Sequence, residues 1–425
     1  MPATGPVSAS AALVDEWLNA TIREVGAAAR TARNGDLYWC LPAGPVSPLP
    51  APIYAGTLGV AVFLAAAARV SGVGAARELC LRAIAPLRRD LDGIGSDPAR
   101  KSAIHLPVGG LAGLGSIVYA LACIADLLEL PALADEALAT SRLLDPERIA
   151  GDEHLDVMIG SAGALLALLA LEHHRLPGGA PHLGPIAATS RCAFRILEAH
   201  PRLARPPRGA SRGLEQGPSG PGFCHGTAGI VTALLRLFRR TGDPALVTAA
   251  RRLLRPEHAP RGRRPPSGRQ PRDPASDATS WCKGSAGIAL GQIEAQAALG
   301  ASLHAVEAAL AATAAAPLGP NDDLCCGNAG RIDVLVHAAE ALASPAHLAS
   351  AHRLAGAMLA RAQERGRLTL PLAAERTDVR LFPGLAGVGY CLARLKAPGQ
   401  VPCVPALEPA RGPWAAALAM PHAPS

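Results

Sequence analysis

Seven times along this chain a short glycine turn gives way to a run that is apolar on most of its faces. The turns are Gly56-Thr57-Leu58-Gly59, Gly113-Leu114-Gly115-Ser116, Gly160-Ser161-Ala162-Gly163 and Gly226-Thr227-Ala228-Gly229. Gly284-Ser285-Ala286-Gly287, Gly327-Asn328-Ala329-Gly330 and Gly384-Leu385-Ala386-Gly387 complete the series. Their starts are 57, 47, 66, 58, 43 and 57 residues apart, and only the second copy lacks the last glycine. The runs that follow predict buried helices over 60–70, 117–128, 164–171, 230–240, 331–342 and 388–396. Between the turns lie more amphipathic stretches, at 75–91, 131–144, 186–199, 246–254 and 346–365, which predict half-exposed outer helices. Each period therefore holds two helices and one glycine turn. Glycine at such a turn answers a need for positive φ or for close backbone approach.

A seven-unit array of helix pairs is either an open superhelix or a closed ring. An open solenoid carries distinct polar caps at its ends. None is evident, so closure is expected, with all seven turns at one end of an all-α ring. Composition agrees. Apolar residues make up 49% of the chain while aromatics make up only 3%, so the core must be largely alanine, leucine and valine. Alanine and leucine are strong helix formers.

The residues beside the turns carry the candidate chemistry. Cys282 precedes the fifth turn, and Cys325 and Cys326 directly precede the sixth. Three convergent thiolates make a good zinc site, with one coordination position left open. The remaining cysteines, at 40, 80, 123, 192, 224, 391 and 403, read as packing residues, although Cys224 neighbours His225 on the fourth turn. Ten cysteines this irregularly spaced do not resemble a disulfide framework. His225 directly precedes Gly226 and places an imidazole at the same mouth, where it can exchange protons near neutral pH. Asp156 stands in the apolar stretch Leu155-Asp156-Val157-Met158-Ile159, as an active-site carboxylate or a helix cap. His105, His154, His173 and His174 lack such a context.

The net charge of +7 is local. Between 201 and 275 stand 15 arginines and 4 acidic residues, so the rest of the chain sums to −4. This excess accompanies prolines in loops near 201–221 and 256–277, which read as solvated segments. No interleaved aromatics or recognition motif point to nucleic acid. No apolar run is long enough to span a membrane, so no stable membrane insertion is expected. The N-terminus shows no signal-peptide pattern, and a reducing cytoplasm is the expected location.

Taken together, Ile53-Tyr54-Ala55-Gly56, the Asp156 to Gly163 stretch, Gly222-Phe223-Cys224-His225-Gly226, Ser280-Trp281-Cys282-Lys283-Gly284 and Leu324-Cys325-Cys326-Gly327 resemble the lanthionine synthetase C-like family. The closest likeness is to the cyclase domains of class II lanthipeptide synthetases with a Cys-Cys-Gly zinc motif, and it covers about 36–407. The resemblance implies an α/α toroid of seven inner and seven outer helices. It implies one Zn2+ per chain on Cys282, Cys325 and Cys326, with His225 and Asp156 as acid–base residues. It also implies a dehydrated precursor peptide as substrate, in which cysteine thiolates add to dehydroalanine or dehydrobutyrine. Where histidine is usual in the metal motif, this chain has Cys326, and a third thiolate makes a more nucleophilic centre with looser substrate choice expected. Lys283 stands where the family more often has Tyr or His; a cation there either helps stabilise an enolate or marks an altered function. An upstream arginine of the family is absent from Asp277-Ala278-Thr279-Ser280. No dehydratase region precedes the likeness, so dehydration is expected from a separate dehydratase, unless the chain is an excised piece.

The expected organisation is an N-terminal helical segment on the outer ring at 1–35, the toroid at 36–407 and a tail at 408–425. Two rival functions share this frame: addition of glutathione or another thiol to dehydroamino-acid proteins, and a non-catalytic peptide-binding scaffold. A prenyltransferase-like toroid is disfavoured by the scarcity of aromatics.

Overall fold

A computed structural model describes residues 10–95, 104–172, 183–203, 220–254, 274–372 and 375–409. Among these, seven inner helices follow the seven glycine turns: Thr57–Ser71, Leu114–Leu128, Ser161–Leu171, Thr227–Thr241, Ser285–Leu299, Asn328–Ala341 and Leu385–Lys396. Each packs on the next, and Leu385–Lys396 packs back on Thr57–Ser71, so the ring closes. Burial explains the apolar pattern: every residue of Leu114–Leu128 and of Ser161–Leu171 is buried.

The outer helices are Gly74–Gly95, Pro131–Ser141, Leu183–Leu203, Pro244–Leu253, Leu303–Ala315 and Pro345–Arg365, each packed on the inner helix that precedes it. The seventh place is taken from the other end of the chain. Helix Ala11–Ala27 packs on Leu385–Lys396 and supplies the outer partner of the last inner helix. This is an all-α toroid of seven inner and seven outer helices. A two-stranded hairpin, Arg30–Thr31 against Leu37–Tyr38, is a minor addition that the helical periodicity does not signal.

The turn glycines are needed for space. All seven helix-entering glycines have extended backbones, from φ −99° at Gly327 to φ −128° at Gly113, which any residue can adopt. A Cβ on Gly163, however, would lie 2.0 Å from the Val157 carbonyl oxygen and 2.3 Å from the Gly110 nitrogen. Positive φ belongs to the far ends of the helices, at Gly72, Gly242, Gly300 and Gly366. The close approach has a cause. Each loop folds back so that its own carbonyls cap the helix it enters, seven residues back, as in Thr57 N–H to Pro50 O, Leu114 to Pro107, Thr227 to Gly220 and Asn328 to Asn321. Such backbone caps let glycine occupy the N-cap position; at the third turn the Asp152 carboxylate accepts from Ser161 N–H at 2.6 Å as well.

The stretch after the last inner helix turns inward. Val401 to Leu407 are buried among the inner helices. Tyr119 Oη donates to Glu408 O at 2.7 Å, Arg236 Nη1 to Ala406 O at 2.8 Å and Trp281 Nε1 to Pro405 O at 3.0 Å. The sequence reading placed Glu408 in a tail; its carbonyl and carboxylate both serve this inner plug. The remaining tail residues and nearly all of both basic loops lie outside the described residues, apart from helix Pro274–Thr279 and a few flanking positions. No described helix is long and apolar enough to cross a membrane.

Candidate metal centre

The seven turns form a belt of backbone hydrogen bonds at one end of the ring. Tyr54 N–H donates to Leu111 O, Gly110 to Val157 O, Val157 to Cys224 O and Phe223 to Trp281 O. Leu324 and Cys325 N–H both donate to Phe382 O, and Phe382 N–H donates to Tyr54 O. Between the fifth and sixth turns the contact is made by thiols: Cys282 Sγ lies 3.2 Å from Cys326 Sγ. Cys326 Sγ is 3.4 Å from Cys325 Sγ, and all three sulfurs lie within 4.8 Å of one another. No disulfide involves any of them. Cys282 and Cys325 are each 6% exposed. The three thiols that the sequence reading singled out thus converge, close enough to share one metal ion.

Hydrogen bonds from Cys325 and then Cys326 hold the Cys282 thiol well below the ordinary thiol range. The bond to Cys282 pushes Cys325 and Cys326 upward. The three sulfurs compete for negative charge at close range, and a metal ion bound by such thiols displaces their protons.

Asp323 braces the double-cysteine turn. Its Oδ1 accepts from Cys325 N–H at 3.0 Å and Cys326 N–H at 2.8 Å. Burial pushes its carboxyl up to about 7, against the pull of those two amides. The sequence reading passed over Asp323. The available signal is register: it stands four residues before Gly327, as Asp156 stands four before Gly160.

Asp156 proves to be both a turn brace and a partner of His225. Oδ1 accepts from Ile159 N–H at 2.9 Å and Gly160 N–H at 3.1 Å. Oδ2 lies 2.7 Å from His225 Nδ1. Burial works against the imidazolium, but the bond to Asp156, its charge and that of Cys282 outweigh it and leave His225 above its ordinary range. Its side chain is 43% exposed, while Asp156 is buried. Lys283 is half-exposed at the rim, its Nζ 3.6 Å from Asp277 Oδ2, and its charge lowers both His225 and Cys282. Cys224 is buried and lies outside the thiol cluster.

Four of the scarce aromatics form a contiguous row beside the cysteine turns. Tyr54 stacks on Phe382 at 5.0 Å, Phe382 meets Trp281 at 4.7 Å, and Trp281 meets Phe223 at 6.0 Å. Trp281 couples this aromatic row to the C-terminal plug through its bond to Pro405 O.

A second set of possible ligands, His337, Glu340 and Glu408, lies at the plug. Its carboxylates are already matched by protein cations: Arg394 Nη2 donates to Glu340 Oε2 at 3.1 Å, and the charges of Arg236 and Arg394 both act on Glu408. The His337–Glu408 contact, at 3.3 Å, ties the plug to an inner helix.

Comparison with known proteins agrees with the architecture. The family model described as lanthionine synthetase C-like protein matches residues 47–406. Among solved structures, "Nisin cyclase" superposes with a TM-score of 0.57 over 93% of this chain and 96% of that chain, at 12% identity. At that identity the likeness is one of fold. No curated protein sequence matches the chain.

Proposed function

The chain belongs to the lanthionine synthetase C-like family, and on that premise we propose that it is a zinc-dependent cyclase forming lanthionine and methyllanthionine thioethers in a dehydrated precursor peptide. The observation that carries the reading is the convergence of three unbridged sulfurs beside the His225–Asp156 pair at one mouth. A tetrahedral zinc with Zn–S bonds near 2.3 Å needs sulfurs about 3.8 Å apart. The separations of 3.2 and 3.4 Å, with all three inside 4.8 Å, fit that demand after small rotations of the thiols.

Cys282, Cys325 and Cys326 would hold the ion and leave the fourth position to a cysteine of the peptide. Bound zinc would keep that substrate sulfur as a thiolate at neutral pH, where a free thiol is mostly protonated. The sulfur forms a bond to the β-carbon of a dehydroalanine or dehydrobutyrine, and the π electrons move toward the carbonyl. His225, charged through its contact with Asp156, delivers a proton to the α-carbon, and the proton given up by the next substrate thiol restores the imidazolium, so each addition is proton-neutral. Asp156 fixes the imidazole orientation through Nδ1 and leaves Nε2 for the exchange. Lys283 contributes positive potential at the rim, where enolate charge develops. A separate dehydratase supplies the substrate.

The test is a purified chain, its zinc content and a dehydrated peptide carrying one cysteine, with and without glutathione. Ring formation consumes one alkylatable thiol at unchanged peptide mass. A glutathione adduct as the sole product would replace this reading with intermolecular thiol addition. A protein without zinc and without turnover would be a scaffold. Cys282→Ala is expected to lose both zinc and cyclisation, and retained zinc would overturn the ligand assignment.

A further inference from the structure

We infer that Tyr54 is a positioning residue of the metal centre, donating a hydrogen bond from its phenol to the Cys325 thiolate and so setting that sulfur's donor strength. The inference rests on the metal reading above and concerns a residue from the opposite end of the chain. Tyr54 Oη lies 3.2 Å from Cys325 Sγ, across a sequence separation of 271 residues.

Three further contacts aim that hydroxyl. Tyr54 N–H donates to Leu111 O and its carbonyl accepts from Phe382 N–H, so the backbone is pinned on both sides by the belt. The ring stacks on Phe382 at 5.0 Å with 15° between planes. Phe382 O in turn accepts from Cys325 N–H at 3.0 Å, tying donor and sulfur to one intermediate residue.

The centre needs such a donor. Three thiolates around a divalent ion carry a net negative charge, and a substrate thiolate adds another. In many sites backbone amides supply the compensating bonds. Here the Cys325 and Cys326 amides are directed elsewhere: both donate to Asp323 Oδ1, and Cys325 N–H also reaches Phe382 O. A hydroxyl bond to a charged sulfur is of the stronger, charge-assisted kind. It draws electron density from the sulfur, stabilises the anionic centre and restrains the reactivity of the protein's own ligand relative to the substrate thiolate.

The test uses the full chain with zinc or cobalt(II). Tyr54→Phe keeps the ring and removes only the hydroxyl. It is expected to weaken metal binding about tenfold to hundredfold, the range for groups that support a metal ligand. The thiolate-to-cobalt charge-transfer band should move to lower energy, and iodoacetamide should alkylate Cys325 of the loaded protein faster. Replacement of Tyr54 by 4-aminophenylalanine, which restores a weaker donor, should return the band part of the way and keeps the comparison open if the first variant folds poorly. Unchanged affinity with a superimposable cobalt spectrum in a wild-type protein that binds metal would overturn this inference alone. A wild-type chain that binds no metal would overturn it together with the cyclase reading.

Discussion

At the scale of single residues, the site works by division of labour within one turn geometry. Asp156 and Asp323 hold the same register, and each lends one oxygen to its own turn. Only Asp156 has a histidine for its other oxygen. His225→Asn is therefore expected to keep zinc bound and to slow product formation by about 10²–10⁴-fold, the usual share of a general acid; metal analysis and turnover on the same sample check both halves. The pH dependence follows from the direction of the shift. The folded His225 lies above its unfolded value, so the pair's stabilisation is complete below about pH 6.5 and is lost as pH rises through the folded value. The supply of imidazolium falls over the same window. Asp156→Asn removes the bond and the charge that raise His225, so the falling limb of the pH–rate profile and the NMR titration of the imidazole should both move to lower pH.

At the scale of elements, the unit of construction is a loop that caps its own helix with carbonyls seven residues back. Its recurrence explains why glycine patterning is so visible in the sequence while its reason is not. Gly163 packs between two backbones, that of its own loop and that of the neighbouring turn. Gly163→Ala should therefore force apart the second and third turns and cost about 1–3 kcal/mol, the usual range for overpacking, with thermal or denaturant unfolding as the measurement. Six of the seven inner helices are legible as apolar runs after their turns, two of them buried on every face; Ser285–Leu299 is not, because Gln292, Glu294 and Gln296 interrupt its apolar pattern. Most outer helices are legible through their amphipathic period. Leu303–Ala315 is not, because its alanine-rich sequence gives little contrast between faces.

At the scale of the whole molecule, the two chain ends complete the ring. The N-terminal helix Ala11–Ala27 fills the last outer place, and the C-terminal plug fills the interior. Arg394, fully buried, pairs with Asp333 at 2.9 Å and Glu340 at 3.1 Å. Burial works against the Glu408 carboxylate, but His337, then Arg236 and Arg394, hold it well below the ordinary range. Its contribution is thus present above about pH 4.3 and lost as pH falls through the folded value. Glu408→Gln removes the carboxylate that faces His337, while Arg236 keeps Glu294 and Arg394 keeps Asp333 and Glu340, and is expected to cost about 1.5–3 kcal/mol. Denaturant titrations at neutral and acid pH should show the gap to wild type narrowing as pH falls.

The sequence by itself determined most of the helices, the sevenfold count and the three thiols, because these depend on local periodicity and on which side chains flank each turn. It also placed His225 and Asp156 at turns of the same ring, through their register to the glycines. Only the tertiary structure decided which of these groups touch. Ring closure brings Tyr54 against Cys325, joins Asp156 to His225 and carries Glu408 inside the ring. Those contacts arise from the cumulative packing of seven helix pairs, and no local pattern encodes a distance set by the closure of all of them together.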